Sequence, residues 1–338
     1  MQKRILFICG SMNQTTQMHQ IASELPEYEH FFTPYYGDRL LNFAGHLRLT
    51  ECSVMGKKLT RRCTDYLTAH HLKIDRHGSA QSYDLVVTCS DLVIPRNIRG
   101  SRIILVQEGM TDPETLTYHL VKHLRVLPRW LASTAATGLS DAYDRFCVAS
   151  EGYRDLFIRK GANPAKLIVT GIPNFDHCAQ YRENDFPHRG YVLVCTSDAR
   201  ETFKRDDRRA FIRRAIEIAS GRPLVFKLHP NEKAERATRE IHALAPRALV
   251  FATGQAETMI ANCEVLITQY SSTAFVGLAL GKEVHSYFDL HELQGLLPIQ
   301  NHAAAKNIAE VCHQLIMEQS ATVRYTPPRW RRRLARVS

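Results

Sequence analysis

Two stretches of this sequence carry the residues best equipped for chemistry: Lys227-Leu228-His229-Pro230 and, about forty residues later, Thr268-Gln269-Tyr270-Ser271-Ser272-Thr273. Each follows a short apolar run, the pattern of a strand in an open α/β sheet, and such sheets bind ligands outside the carboxyl ends of their strands. An imidazole, an ammonium, hydroxyls and backbone N–H groups gathered there would hold a phosphate. Charge-assisted hydrogen bonds of this kind contribute about 1.5–3 kcal/mol each. Taken singly, His229 would cap a turn before Pro230, and Ser271, Ser272 and Thr273 would form an ordinary helix N-cap. Two such sets in one half of the chain point instead to a nucleotide monophosphate or diphosphate.

The first half supplies acids. The apolar run Ile103 to Val106 leads into Gln107-Glu108-Gly109-Met110-Thr111-Asp112-Pro113. Glu108 stands at the strand end, where Gly109 allows close backbone approach, and it is the first candidate for a catalytic carboxylate, the general base that the resemblance given below implies for an acceptor hydroxyl. Asp112 is the second candidate, although Thr111-Asp112-Pro113-Glu114 also reads as a helix start. Gly10-Ser11, after the first apolar run, would approach donor or acceptor through backbone N–H groups or simply make a tight turn. His119 and His123 are spaced as metal ligands on a helix would be, but they lack the Glu of H-E-x-x-H, so chance is the better reading. No Asp-x-Asp metal motif is apparent, and no metal or cofactor is expected.

The elements that must position these residues are short buried strands alternating with helices. Ile5 to Cys9, Leu85 to Thr88, Ile103 to Val106, Phe146 to Ala149 and Leu167 to Val169 read as strands, with a helix from Thr15 to Leu25 after the first. This predicts a Rossmann-like domain over 1–171. Gly171-Ile172-Pro173-Asn174 and Pro187-His188-Arg189-Gly190 break the pattern and bound a linker at 172–190. The alternation restarts at Tyr191 to Cys195 and continues through Leu224 to Leu228, Leu249 to Ala252, Val265 to Thr268 and Val284 to Tyr287. Helices are expected at Asp207 to Ile218, Lys233 to Leu244, Thr273 to Leu280 and Ile308 to Glu318. A second Rossmann-like domain, 191–320, follows, and 321–338 is a basic tail.

Composition bounds the setting. The chain has 338 residues, and Lys plus Arg exceed Asp plus Glu by 44 − 34 = 10. That excess suits phosphate-rich ligands, nucleic acid or an anionic membrane. The nine cysteines show no C-x-x-C pairing, as in a reducing cytosol. No apolar run approaches the roughly 18 residues of a transmembrane helix. A cytoplasmic protein is expected, at most peripheral to the inner face of a membrane. Residues 115–130 combine apolar and basic side chains and, with the Arg-rich 324–336, could touch a membrane that presents a lipid-linked acceptor. A buried helix with a basic outer face is the alternative.

His229-Pro230 with Ser271-Ser272 resembles the HP and serine motifs of GT-B-fold transferases that use cytidine-nucleotide donors: bacterial sialyltransferases, Kdo transferases and CDP-glycerol glycerophosphotransferases. Val265 to Ser272 is similar to the "ITDYSS" element of the last group, with Gln269 in place of the acid. Ser150-Glu151-Gly152-Tyr153 and Gly171-Ile172-Pro173-Asn174-Phe175-Asp176 resemble strand ends of the same superfamily. The likeness implies two Rossmann-like domains facing a cleft. It implies that Lys227, His229, Pro230, Ser271, Ser272 and Thr273 hold a CMP-, CDP- or UDP-linked donor, and that a saccharide or lipid-linked hydroxyl is the acceptor. Gln107-Glu108-Gly109 is similar to the acid–acid–Gly motif of the sialyltransferases, with Gln107 replacing the first acid. The alternative is a UDP-GlcNAc 2-epimerase-like isomerase: Cys195-Thr196-Ser197-Asp198-Ala199-Arg200-Glu201 looks like that family's Thr-His-Arg-Arg-Glu-Asn segment but lacks the His. A nucleic-acid binder, suggested by charge alone, lacks any recognisable binding motif.

Overall fold

Strands covered on both faces need apolar residues at nearly every position, and the inner strands of this chain come close to that, while the edge strands are less apolar or less buried. The computed structural model describes residues 2–36, 57–124, 127–201 and 206–324. In the first half, β1 (Arg4–Cys9), β2 (Glu29–Pro34), β3 (Leu85–Thr88), β4 (Arg102–Val106), β5 (Arg145–Val148) and β6 (Leu167–Val169) form one sheet in the order β2-β1-β3-β4-β5-β6. All its pairings are parallel. In the second half, β7 (Val192–Cys195), β8 (Leu224–Lys227), β9 (Leu249–Phe251), β10 (Val265–Thr268) and β11 (Glu283–His285) form a second parallel sheet, β11-β10-β7-β8-β9. Chain direction across this sheet reverses between β7 and β10. Such a switch point leaves a crevice at the carboxyl ends of the strands.

Helices cover the sheets: α1 (Met12–Ser23), α2 (Lys57–Ala69), α3 (Leu116–Leu124) and α4 (Glu151–Lys160) in the first half. The second half contributes α5 (Arg208–Ala219), α6 (Ala234–Leu244), α7 (Ala256–Asn262), α8 (Thr273–Ala279), α9 (Leu290–Gly295) and α10 (Ala304–Arg324). The last helix was expected to close the second domain. Instead Ile308, Cys312, Leu315 and Ile316 pack with Ile5, Phe7, Met18 and Ile21, so α10 covers the first sheet. Its start is tied there by the Ala304 N–H, which donates to Asp176 Oδ2 at 2.8 Å, and by Asn307 Nδ2, which donates to the Thr170 carbonyl at 3.1 Å. Of the tail 321–338, residues 325–338 lie outside the described residues, as do 125–126 of the 115–130 stretch.

The halves meet along apolar and backbone contacts. Phe275 of α8 makes edge-on ring contacts with Tyr153 of α4 and with Phe175 in the connecting segment. Gly152 faces the carboxyl end of α9, where a Cβ would stand 2.0 Å from the Gly295 carbonyl oxygen. Within the expected helix over 115–130, the described helical residues are Leu116–Leu124, beginning beyond Asp112-Pro113, and a 3-10 segment (Arg129–Ala136) packs against them. The described cysteines, all but Cys52, are free thiols and buried, packed as small apolar side chains. Among the described residues, no helix is long and apolar enough to cross a membrane.

Candidate active site

His229 sits just past β8, on a loop held by a buried charge cluster that the sequence did not reveal. Its backbone N–H donates to Thr196 Oγ1 at 3.2 Å and to Glu232 Oε2 at 3.0 Å. Thr196 also donates its hydroxyl to Glu232. The Glu232 carboxylate is paired with Arg208 at 2.8 Å, and Arg208 with Asp206 at 3.1 Å, all with buried side chains. The His229 ring accepts the Asn231 N–H at Nδ1, 3.2 Å away. The neutral ring therefore carries its proton on Nε2, the nitrogen left to donate to a ligand oxygen. Asp198 Oδ2 lies 3.6 Å from Nδ1 and would pair with the ring once protonated. Lys227 is buried at the end of β8, where its ammonium donates to the Leu228 carbonyl at 2.8 Å. Burial pushes its pKa down, opposed by the charges of Cys195, Glu257 and Glu232.

Ser271, Ser272 and Thr273 stand beside that loop. Ser271 Oγ accepts the Thr273 N–H at 3.3 Å and shares a hydrogen bond of 3.0 Å with Thr273 Oγ1. Ser272 occupies the N-cap position of α8 but has helical backbone angles and makes no side-chain cap bond. Its hydroxyl is thus not engaged as a cap.

Gln269, the amide that replaces an acid of the resembling motif, has a structural role here. It accepts from Ser197 Oγ at 2.5 Å and donates to Asp206 Oδ1 at 2.8 Å. A carboxylate at this position would face the buried Asp206 carboxylate directly, so the substitution follows from the charge cluster beside it.

Across the cleft, Glu108 follows β4, and both its oxygens accept hydrogen bonds from the start of α1. Ser11 Oγ donates to Oε1 at 2.5 Å and Gln14 Nε2 to Oε2 at 2.7 Å. Ser11 is also the N-cap of α1, accepting the Gln14 N–H at 3.2 Å. The Ser11 side chain thus positions Glu108, and Gly10 before it is buried. Gln107, which stands where the resembling motif has its first acid, is buried and bridges backbone: Nε2 donates to the Gly109 carbonyl at 2.8 Å and Oε1 accepts the Ala149 N–H at 2.9 Å. Asp112 exchanges hydrogen bonds with Thr134, receiving its hydroxyl at Oδ2 (2.9 Å) and giving its own N–H to Oγ1 (2.8 Å).

These groups line adjoining spaces between the halves. His229, Pro230, Lys227, Ser271, Ser272 and Thr273 share a cavity of about 580 Å³ with Asn13, Thr16 and Asn174 of the opposite wall. Glu108 and Asp112 line a neighbouring cavity of about 250 Å³. Ser271, Ser272, Asn13 and Phe175 belong to both, so the candidate phosphate contacts and the candidate base open onto one space. The sequence reading missed Tyr270, which is exposed beside Phe288 in the Glu108 cavity with ring centroids 4.9 Å apart. It missed Asn174 too, whose amide donates to the Asn13 carbonyl at 2.7 Å and so holds the start of α1 to the connecting segment. His119 Nε2 lies 4.0 Å from Glu114, the His123 ring bonds to the His119 carbonyl at 2.8 Å, and among the described residues no group of three or more His, Cys, Asp or Glu is arranged to hold a metal.

Solved structures of the same architecture span nearly the whole chain. The UDP-GlcNAc 2-epimerase of Neisseria meningitidis, bound to UDP-GlcNAc, is 14% identical with a TM-score of 0.57, covering 92% of this chain and 100% of its own. MnaA of S. aureus, in complex with UDP, is 13% identical with a TM-score of 0.56, covering 93% of this chain and 88% of its own. The wall teichoic acid polymerase TagF is 10% identical with a TM-score of 0.54, covering 94% and 89%. The fold is GT-B. At these identities the likeness extends to architecture, and the neighbours are enzymes that act on or bind nucleotide-linked substrates. No protein-family model matches the sequence, and no curated protein matches it.

Proposed function

We propose that this GT-B protein is a transferase that moves a glycosyl or polyol-phosphate group from a nucleotide-activated donor to a hydroxyl acceptor. The observation that carries the reading is the single space shared by His229, Ser271 and Ser272 on one wall and Glu108 on the other. The donor phosphates lie against His229 Nε2–H and the hydroxyls of Ser271 and Ser272. The acceptor sits over Tyr270, an aromatic surface suited to a sugar ring. Glu108 takes the acceptor proton as the new oxygen bond forms at the transferred group. The bond to the nucleotide phosphate breaks on the opposite side, and the charge left on the nucleotide meets the His229 and serine donors, aimed there before reaction. Hydrogen bonds from Ser11 and Gln14 keep the Glu108 carboxylate oriented.

Epimerisation is the second reading, favoured by the epimerase structures that match as well as the polymerase does. Against it, Arg200 and Glu201 of the epimerase-like segment turn away into ion pairs with Glu240 and Arg236. Incubation with UDP-GlcNAc alone separates the two by proton NMR: an epimerase converts it without acceptor, whereas a transferase releases nucleotide only when a hydroxyl acceptor is added. Conversion without acceptor would refute the transfer reading. The leaving charge is met here by protein donors, so EDTA is expected to leave the transfer rate within about twofold.

A further inference from the structure

Helix α3 presents two unlike faces. Tyr118 and Val121 are buried against Ala132, Ala135 and Ala136 of the turn that folds back on it. Leu116, Leu120 and Leu124, one helical turn apart, are 77%, 46% and 52% exposed, and Trp130 and Leu131 in that turn are exposed as well. Single exposed leucines are ordinary on a soluble protein, but five large apolar side chains within one short stretch mark an interaction surface.

At the carboxyl end of this helix lies a cavity of about 670 Å³ that shares no lining residue with the His229 and Glu108 cavities, and its charged lining is Lys122, Arg129, Lys160 and Asp141. Asp141 is already paired with Lys166 at 2.8 Å. Lys160 is 3% exposed, and its ammonium lies over the rings of Tyr118 and Phe157, 5.1 and 6.0 Å from their centroids. No hydrogen bond or ion pair reaches it among the described residues. Glu114 and Asp112 act on it only through their charge, and burial pushes its pKa down. Arg129 Nε is likewise buried without an acceptor. A buried ammonium without a hydrogen-bond acceptor, beside a half-buried guanidinium whose Nε has none, calls for an anion, and the leucines nearby call for an apolar surround.

We propose that α3 and the turn after it dock on a membrane, with Leu116, Leu120, Leu124 and Trp130 in the acyl boundary and the phosphate of an anionic phospholipid held by Lys122, Arg129 and Lys160. Interfacial helices of this kind bury their apolar face about 5–10 Å into the headgroup boundary, while basic side chains select anionic lipid. The proposal stands apart from the transfer reading, because it uses neither cleft wall.

Flotation of the full chain with vesicles of phosphatidylcholine, with and without phosphatidylglycerol, tests it. Binding is expected on the anionic vesicles. It should fall about tenfold or more in Leu120→Asp/Leu124→Asp, whose positions are exposed enough to leave the fold intact, and by severalfold in Arg129→Gln and Lys160→Met. Should Lys160→Met fail to fold, Lys122→Glu at the exposed rim carries the same test. Leucine variants that float like the wild type would assign binding to the basic tail and overturn the proposal. A wild type that ignores both vesicles, yet is stabilised by inorganic phosphate, would mark a site for a soluble anion and also overturn it. So would self-association through the leucines, seen as a dimer mass by light scattering that the Asp variants lose.

Discussion

Gln269 shows how a single side chain records its neighbours. Its amide joins Ser197 to Asp206, and the Asp206 carboxylate is wholly buried between Arg200 and Arg208. Gln269→Glu brings a second carboxylate to a buried site and removes a donor, and a loss of about 3 kcal/mol is expected, read as a lower midpoint in urea unfolding. Glu232 is the larger test. Replacing it with Ala removes one of the two carboxylates paired with buried Arg208 and frees the His229 loop, so stability should drop by about 3 kcal/mol. The milder Glu232→Gln should fold and still weaken nucleotide affinity, because Thr196 and the His229 N–H lose a charged acceptor. Wild-type affinity in that variant would remove Glu232 from the positioning of His229. At this scale the sequence exposed the apolar-run-then-polar pattern of His229, Glu108 and Ser271. It could not expose Glu232, Gln14 or Tyr270, whose places depend on pairings between residues far apart in the chain.

Among the elements, strands were the most legible part of the sequence. β3, β6 and β10 coincide with uninterrupted apolar runs, because both faces of each are covered. β2 was not foreseen: Glu29-His30 and Thr33-Pro34 flank only Phe31-Phe32, as an edge strand permits. Helix α1 begins at Met12 rather than Thr15, because Ser11 caps it and brings Gln14 to Glu108. The placement of α10 was hidden for a different reason. Its apolar stripe shows that it is covered, but a stripe does not name the partner, and the chain crosses back to the first sheet to find it. Truncation at residue 303 should therefore expose the core around Ile5, Phe7 and Ile21 and leave a chain recovered only as aggregate, assayed by solubility after expression. A soluble, cooperatively unfolding product would contradict that placement. Gly152→Ala tests the contact between halves: with the Gly295 carbonyl in the way, the α4–α9 junction must open, at a cost of about 1–3 kcal/mol in thermal unfolding.

The whole molecule is two parallel sheets whose carboxyl ends face a common cleft, with α10 tying the end of the chain back to its beginning. Such an arrangement lets the halves close on a ligand and exclude water from the transferred group. The proposed base and the proposed phosphate contacts come from opposite halves, so their losses should differ in kind. Glu108→Gln should bind nucleotide normally and transfer nothing, whereas His229→Ala should lose both. Isothermal titration of CMP, CDP, UDP, GDP and ADP into the wild type, His229→Ala and Glu108→Gln is the most direct measurement of this division. One of the pyrimidine nucleotides is expected to bind the wild type and Glu108→Gln alike and to bind His229→Ala about tenfold or more weakly, the loss of one charge-assisted contact. Equal affinity in all three proteins, or no nucleotide bound by any, would contradict the account.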